Sequence, residues 1–483
     1  MRFLCIHGHF YQPPREDPWT GKVRREASAA PFHDWNERIT AECYAPNSDN
    51  YARISFNFGP TLLSWMEGSV PEVYRRILEA DAESRERFSG HGSALAQAYG
   101  HEILPLASAR DKRTQVYWGI RDFEHRFSRS PEGMWLPETA VDTGTLEVLA
   151  DLGIRFTVLS PHQALQWRDS GQLGWQEADG TLDTRRPYET RLPSGRRIVL
   201  FFYDAAASQR IAFGGLADGA ENLTRELLGR FGGGEDQLVS AATDGETYGH
   251  HFKGGDRVLA GALSLLEGSA SIRLTNFGEY FAAHPPHQEA RIRENTSWSC
   301  PHGVGRWKED CGCTTWEHPG WKQSWRAPLR EALDALREKL DSLYETRAAP
   351  VLRDPWQARD DSIALVLGEA DPAPFLERHA GRRLDPAENS LALDLFEMQR
   401  CAMSMFTSCG WFFEDPSGLE TRQVLRYAAR AIELARKLSG ESLEAEFLRE
   451  LEAAASNDPE AGNARRIYEE SRNVAAESAP AAR

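Results

Sequence analysis

Long apolar runs, basic charge and paired cysteines are all scarce in this sequence of 483 residues. No stretch approaches the roughly 20 apolar residues that cross a bilayer. The first residues, MRFLCIHGHF, turn polar too soon for a signal peptide, so we expect a cytoplasmic protein. Lys and Arg number 56 against 72 Asp and Glu, which argues against nucleic acids and anionic membranes as partners. Seven cysteines at irregular spacing favour reduced thiols over a disulfide framework.

The sequence does contain enough apolar material for a large core, since hydrophobic residues make up 41% of it. Its first 280 or so residues alternate short apolar runs with amphipathic runs, which predicts strands alternating with helices in parallel β/α units. Polar residues follow several of these strands at their carboxyl ends, namely His7, His9, Glu138, Asp204 and Asp244. When parallel β/α units close into a barrel, the functional residues come from the carboxyl ends of the strands.

The pattern of hydrophobic and polar residues changes at about residue 325. Long amphipathic segments with helical spacing begin there, such as WRAPLREALDALREKLDSLYETR and SLALDLFEMQRCAMSMF. We therefore predict an α/β protein in which a distorted (β/α)7 barrel is followed by an all-α helical region. The expected ranges are 1–310 for the barrel, 311–460 for the helical domain and 461–483 for a frayed or disordered tail.

Two motifs offer carboxylates at the ends of different strands. GMWLPE presents Glu138, and ATDGETYGHH presents Asp244 before a glycine that permits a sharp turn. Glycoside hydrolysis uses such a pair, because one carboxylate attacks the anomeric carbon while the other protonates the leaving oxygen. Structural alternatives exist: Glu138 is also a candidate helix cap, although Asp142 or Thr143 is better placed for that role, and Asp244 is a candidate turn residue.

Four motifs occur in a fixed order: HGHFYQPP, YGHEILPL, GMWLPE and TDGETYG. Together they resemble the conserved regions of glycoside hydrolase family 57, which contains α-amylases, 4-α-glucanotransferases, branching enzymes and amylopullulanases. The resemblance covers roughly residues 1–310. The helical part, with MSMFTSCGWFFEDPSGLET, resembles the companion domain of unknown function in an uncharacterised subgroup of that family.

The resemblance implies roles for particular residues. It implies that Glu138 is the nucleophile and Asp244 the general acid/base of a retaining mechanism. It also implies a reaction that needs no cofactor and no metal. It places His7, His9 and Gln12 near the reacting sugar, although Phe10 and Tyr11 here intervene between His9 and Gln12. Five further residues are expected to bind the substrate, an oligosaccharide or polysaccharide: His101, Trp135, Glu246, His302 and Trp411.

Several of these residues also have a structural interpretation. His7 and His9 could be core histidines, but their spacing of two puts both on one face of the strand. Glu246 could support the site rather than contact sugar, and Trp411 could pack in a core. His101 lies in YGHEILPL, where the family often has HPILPL; Glu102 therefore replaces a proline, which implies a different loop.

The segment TSWSCPHGVGRWKEDCGC holds Cys300, His302, Cys311 and Cys313. Three thiols and an imidazole can make a tetrahedral zinc site. The spacing departs from that of standard zinc ribbons and fingers, so we expect a loop packed over the barrel mouth, with Trp298, Trp307 or His302 facing the substrate.

Two other function classes stay open at this point. One is a metal-dependent polysaccharide deacetylase on a similar barrel, which needs an Asp and two histidines around the ion. The other is a non-catalytic glucan-binding protein. The sequence does not determine oligomeric state or the choice between hydrolysis, transfer and branching.

Overall fold

The computed structural model describes residues 1–234 and 236–478, and it is a mixed α/β protein. Its twelve strands are β1 Arg2–Phe10, β2 Ser55–Phe58, β3 Ala96–Gln97, β4 Met134–Trp135, β5 Phe156–Leu159, β6 Ala164–Asp169, β7 Gln176–Glu177, β8 Tyr188–Arg191, β9 Arg197–Phe202, β10 Gln237–Asp244, β11 Ile272–Leu274 and β12 Gln288–Ile292.

The α-helices of these residues are as follows: α1 Trp35–Ile39, α2 Pro60–Ser69, α3 Pro71–Arg87, α4 Ala109–Phe127, α5 Thr143–Asp151, α6 Ala205–Phe213, α7 Ala220–Leu228, α8 Gly255–Glu267, α9 Phe277–Ala283, α10 Arg326–Ala348, α11 Pro355–Asp361, α12 Ile363–Val366, α13 Pro372–Ala380, α14 Pro386–Ser404, α15 Cys409–Phe412, α16 Leu419–Ser439, α17 Glu444–Leu451 and α18 Ala464–Ser478. None of these helices combines the length and the apolarity that a membrane crossing requires.

The chain divides into two compact units. The first comprises residues 1–12, 25–99 and 123–299, and the second comprises residues 13–24, 100–122 and the described chain from Cys300 onward. The predicted ranges 1–310 and 311–460 differ from this division, because two short segments of the amino-terminal half belong to the second unit. The predicted tail also differs: α18 covers Ala464–Ser478, while residues 479–483 lie outside the described part.

Parallel strands organise the first unit. Strand β1 pairs with β10 on one side and with β2 and β11 on the other, and all three pairings are parallel. Strands β3 and β4 are parallel to each other, as are β5 and β9. Single parallel bridges connect β2 to Ala94 and Phe156 of β5 to Gly133. These pairings agree with the predicted parallel units, and closure into a (β/α)7 barrel stays a prediction.

The sequence did not predict one part of this unit, a set of antiparallel strands. Strand β8 is antiparallel to β9, β12 is antiparallel to β6, and β6 is antiparallel to β7. The strands β6, β7 and β8 are only two to six residues long, and β7 is exposed on both residues. Such short segments give little hydrophobic periodicity, so the sequence pattern does not reveal them.

Amphipathic helices make up most of the second unit, as predicted. Helix α14 begins at a capping box in which Asp385 and Glu388 satisfy each other's backbone N–H groups. Its Leu395, Met398 and Ala402 are buried, on the apolar stripe that the sequence shows. Apolar burial on one stripe of each helix is the main stabilising contribution in such a bundle.

A buried ion pair in the second unit gives a test of its stability. The Arg359 guanidinium lies 2.7 Å from the Asp111 carboxylate, and both side chains are almost fully buried. It also donates to Gln399 and Thr114 at 2.8 and 2.7 Å. Arg359→Met would leave the Asp111 carboxylate buried without its cation, so we expect the free energy of unfolding to fall by about 3–5 kcal/mol.

Urea unfolding followed by circular dichroism measures this change. Lys339→Met is the matched control, because the Lys339–Glu446 pair is solvent-exposed and should contribute about 1 kcal/mol or less. Equal losses in the two variants would contradict the special role of the buried pair.

Candidate active site

Three adjacent parallel strands bring polar side chains to one level of the sheet. In the register of β1 with its neighbours, His9 is opposite Asp244 of β10 and opposite Asn57 of β2. His7 lies two residues earlier, opposite Ser55. The carboxyl ends of β1, β2 and β10 therefore form one polar edge, as the sequence predicted for His7, His9 and Asp244.

Asn57 holds the two histidines together. Its Oδ1 lies 3.1 Å from His7 Nε2, and its Nδ2 lies 3.0 Å from His9 Nδ1 and donates to Gln97 Oε1 at 2.7 Å. The Asn57 Oδ1 can accept from His7 Nε2–H, and the Asn57 amide donates to His9 Nδ1, while His7 Nδ1 lies 3.0 Å from the Ser55 hydroxyl. Burial lowers the pKa of each imidazole to about 3, so both are neutral.

The indole of Trp135 packs against both imidazoles. It is stacked with the His7 ring at 4.5 Å between centroids and with the His9 ring at 5.3 Å. It is fully buried, and its Nε1 has no acceptor among the described residues. Trp298 meets the same indole edge-on at 5.1 Å. Sequence reasoning expected Trp135 at the site, and the structure puts it beside the histidine pair.

Glu138 follows β4 in an unusual backbone conformation. Its φ is +56°, and Thr139 next to it has a φ of +50°. Side chains other than glycine rarely adopt this left-handed region, and two in succession cost free energy that the surrounding contacts must supply. Glu138 is therefore not a helix cap; Asp142 caps α5 by accepting from the Thr145 backbone N–H.

Two side chains donate to one oxygen of the Glu138 carboxylate. The Trp298 indole Nε1 lies 3.0 Å from Oε2, and the Ser299 hydroxyl lies 2.6 Å from the same atom. The backbone also connects the two segments, because the Trp298 N–H donates to the Glu138 carbonyl at 3.0 Å. Two donors on one oxygen favour the ionised carboxylate and fix its orientation.

Asp244 has the opposite electrostatic environment. Protein atoms crowd its carboxyl group, and this desolvation, followed by repulsion from Glu138, raises its pKa to about 7. Its side chain nevertheless remains exposed to solvent at the end of β10. Water therefore reaches the Asp244 side chain, while protein atoms replace much of the hydration of its carboxyl group. Asp244 can thus keep a proton near neutral pH.

Glu246 is a supporting residue in this geometry. Its Oε1 accepts from the Tyr44 hydroxyl at 2.6 Å and from the Tyr11 backbone N–H at 3.1 Å, and the side chain is buried. Burial, together with the nearby Asp244, raises its pKa to about 8. Between the two residues, Gly245 is required, since a Cβ there would lie 2.2 Å from the Phe10 ring.

Several residues of the site were not predicted from the sequence. Asn57 and Gln97 have no motif of their own, although Asn57 stands out as a buried polar residue between two phenylalanines near a strand end. Ser299 lies next to Trp298, which the sequence analysis did consider. Tyr203 follows β9, and burial together with the nearby Asp244 carboxylate raises the pKa of its phenol. Contacts between segments far apart in the sequence bring these residues to the site, so no local sequence pattern reveals them.

Gln12, the last residue of its segment of the first unit, is half-buried. Three further residues predicted to bind the substrate, His101, His302 and Trp411, belong to the second unit. The His101 imidazole is buried and bonds with the Ser408 hydroxyl at 2.6 Å. Trp411 is 1% exposed, and its indole donates to the Arg326 carbonyl. His302 lies among three cysteines. Their roles toward substrate stay predictions.

The arrangement supplies one carboxylate that accepts two hydrogen bonds and a second carboxyl group whose pKa is raised to about 7 by desolvation and by Glu138. The two interact, because Glu138 raises the pKa of Asp244. A nucleophile beside a proton donor is the requirement for cleaving an acetal or a similar polar bond. The two histidines are neutral, so neither they nor the buried Trp135 indole adds charge to this part of the site.

Comparison with known proteins places this fold in a family. Residues 20–293, more than half of the chain, match the model of glycosyl hydrolase family 57, and residues 321–479 match a domain of unknown function, DUF3536. The chain belongs to glycosyl hydrolase family 57.

Two solved structures share the fold at low sequence identity. The exo-type maltose-forming amylase of Pyrococcus sp. ST04 is 16% identical with a TM-score of 0.74, covering 93% of this chain and 82% of that one. The branching enzyme of Pyrococcus horikoshii is 17% identical with a TM-score of 0.56, covering 98% and 94%.

A curated relative matches over a shorter region. Alpha-amylase 1 of Dictyoglomus thermophilum is 27% identical over 107 residues, which is 22% of this chain and 15% of the amylase. The chain thus spans a small part of that relative's length.

Coupling between the two carboxyl groups gives a prediction that does not require turnover. In Glu138→Gln the repulsive charge is gone, so we expect the pKa of Asp244 to fall below about 7 yet stay above its ordinary value, because the desolvation remains. Carboxyl carbon shifts of Asp-labelled protein, assigned with Asp244→Asn, measure this pKa. An unchanged Asp244 pKa in Glu138→Gln would show that the two groups do not interact.

Proposed function

We propose that this chain is a retaining enzyme acting on α-glucans, as a hydrolase or a glucanotransferase. The observation that carries the proposal is the pair of opposed environments, in which Glu138 accepts two hydrogen bonds while crowding and repulsion raise the pKa of Asp244 to about 7. Membership of the glycosyl hydrolase family supports the reaction class. The compared proteins are two amylases and a branching enzyme, which supports an α-glucan as substrate.

The mechanism has two displacements. Glu138 attacks the anomeric carbon as the bond to the leaving oxygen breaks, and that oxygen takes the proton of Asp244. The Asp244 carboxylate then accepts a proton from water or from a sugar hydroxyl, and the resulting oxygen displaces Glu138. Water gives hydrolysis, and a sugar hydroxyl gives transfer. Trp298 and Ser299 orient the Glu138 carboxylate for attack from one side.

The neighbouring residues bind the reacting sugar. We place His7, His9 and Trp135 against that sugar, with Gln12 at the end of the same segment. A neutral imidazole can exchange hydrogen bonds with hydroxyl groups without introducing charge, and the Trp135 indole N–H adds a donor. Glu246 positions Tyr11 and Tyr44 beside the site rather than reacting.

The two alternative functions have less support. A deacetylase would need histidine nitrogens for a metal ion, but Ser55 and Asn57 engage both ring nitrogens of His7. A binding protein without catalysis has no need for a carboxyl group whose pKa is raised to about 7, nor for left-handed backbone at Glu138.

Product analysis tests the proposal directly. The protein is incubated with maltoheptaose and with amylose, and products are resolved by chain length. New reducing ends with shorter chains indicate hydrolysis; longer and shorter chains without new reducing ends indicate transfer; new branch points indicate branching. Proton NMR of the first products should show the α-anomer, as double displacement requires.

Substitutions of Glu138 and Asp244 test the catalytic role proposed for each carboxyl group. We expect Asp244→Asn to lower kcat by about 10²–10⁴-fold, the usual contribution of general acid–base catalysis, and Glu138→Gln to lower it further. Glu72→Gln and Asp49→Asn, both strongly exposed, should act like the unaltered protein. Activity that survives in Glu138→Gln would refute the nucleophile, and inactivity of the unaltered protein on both glucans would refute the α-glucan assignment.

The pH dependence follows from Asp244. Because its carboxyl group must carry a proton to protonate the leaving oxygen, kcat/KM should decline as pH rises through about 7, the raised pKa of Asp244. Below that pH the acid stays protonated, and activity falls again only where Glu138 becomes protonated. A profile on maltoheptaose at constant ionic strength measures both limbs. A flat profile between pH 6 and pH 9 would contradict the assignment of Asp244.

A further inference from the structure

Four side chains of the second unit converge outside the candidate active site. Cys300, His302, Cys311 and Cys313, here named the Cys3His cluster, present ligand atoms that all lie within 4.8 Å of one another. The cluster lies between the two family-matched ranges, which end at residue 293 and begin at residue 321. Neither family match therefore accounts for it.

The distances fit a tetrahedral metal ion. The Cys300 sulfur lies 4.0 Å from that of Cys311 and 3.7 Å from that of Cys313, and the Cys313 sulfur lies 3.6 Å from His302 Nδ1. Zinc bound tetrahedrally at about 2.3 Å from sulfur and 2.0–2.1 Å from nitrogen separates two sulfurs by about 3.8 Å and sulfur from nitrogen by about 3.6 Å. A disulfide does not fit, since its sulfurs lie about 2.05 Å apart.

The backbone of the segment is shaped for this convergence. Cys311 and Cys313 are separated by Gly312, whose φ of +75° is left-handed and turns the two thiols toward one point. On the other side, the Gly303 N–H donates to the Cys300 carbonyl, and Gly303 also has a left-handed φ of +77°. Two tight turns thus replace the standard spacing of paired cysteines.

A buried arginine balances the charge. Arg326 is fully buried, and its Nη1 lies 3.7 Å from the Cys311 sulfur while its Nη2 donates to the carbonyl oxygens of Cys313, Phe412 and Phe413. In the described part of the chain, no carboxylate forms a salt bridge with it. Zinc with three thiolates and a neutral imidazole carries one net negative charge, so the arginine and the metal centre would neutralise each other.

We propose that the Cys3His cluster is a structural zinc site that holds residues 300–313 of the second unit in one loop conformation. All four tetrahedral positions are taken by protein ligands, which is typical of structural rather than catalytic zinc. His302 is then a zinc ligand through Nδ1, in place of the substrate contact expected from the sequence. The proposal is independent of the activity proposed above.

Metal analysis of the full-length protein, prepared without a polyhistidine tag, tests this site. The protein is reduced, exposed to zinc and desalted, and its zinc, iron and copper contents are measured. We expect one zinc per chain in the unaltered protein and in Cys409→Ser, whose cysteine lies outside the cluster. Cys311→Ser and Cys313→Ser should lose most of the zinc.

Cobalt substitution of the unaltered protein provides a readout that does not depend on the folding of variants. Co²⁺ in the site should show intense visible bands of tetrahedral cobalt and a near-ultraviolet thiolate-to-cobalt charge-transfer band, and added zinc should abolish both. Removal of the metal by a chelator should lower the melting temperature. Failure to retain zinc together with absent cobalt bands, undiminished zinc in the two cluster variants, or iron as the retained metal would each overturn the proposal.

Discussion

The parallel pairing of β1 with β2 and β10 is the constraint on which the candidate active site depends. Because the three strands run in the same direction and in a fixed register, His9, Asn57 and Asp244 end at one level. A slip of one residue in either pairing would turn the side chains to the opposite face and separate them. The apolar residues of β1, such as Leu4 and Ile6, are almost fully buried, and their burial holds the register.

Opposed environments for two carboxyl groups then follow from the placement of a few donors. Glu138 is held by Trp298 and Ser299, both supplied by a segment about 160 residues away. Asp244 has crowding protein atoms and the repulsion of Glu138 instead. The same chemical group thus lies in two different environments, one rich in donors and one that raises the pKa. The unfavourable backbone at Glu138 and Thr139 is consistent with a side chain whose direction matters more than local stability.

Much of the fold was predictable from the sequence, because its main elements have strong local patterns. Helices α10 and α14 occur where amphipathic periodicity predicted helices. Glu138, Asp244, His7, His9 and Trp135 were likewise predicted as site residues, on the strength of four ordered motifs. Short antiparallel strands such as β7 were missed, since two residues cannot show a period.

The sequence by itself determined the alternation of strands and helices in the first part of the chain, the strand ends that carry His9 and Asp244, and the family, because periodicity and motifs are local properties of the chain. Tertiary structure alone decided that Asn57 joins two histidines from another strand, that Trp298 and Ser299 donate to Glu138, and that the Cys3His cluster converges on one point. Each of these arrangements depends on turns and pairings between separated segments, and neither residue spacing nor hydrophobic pattern encodes them.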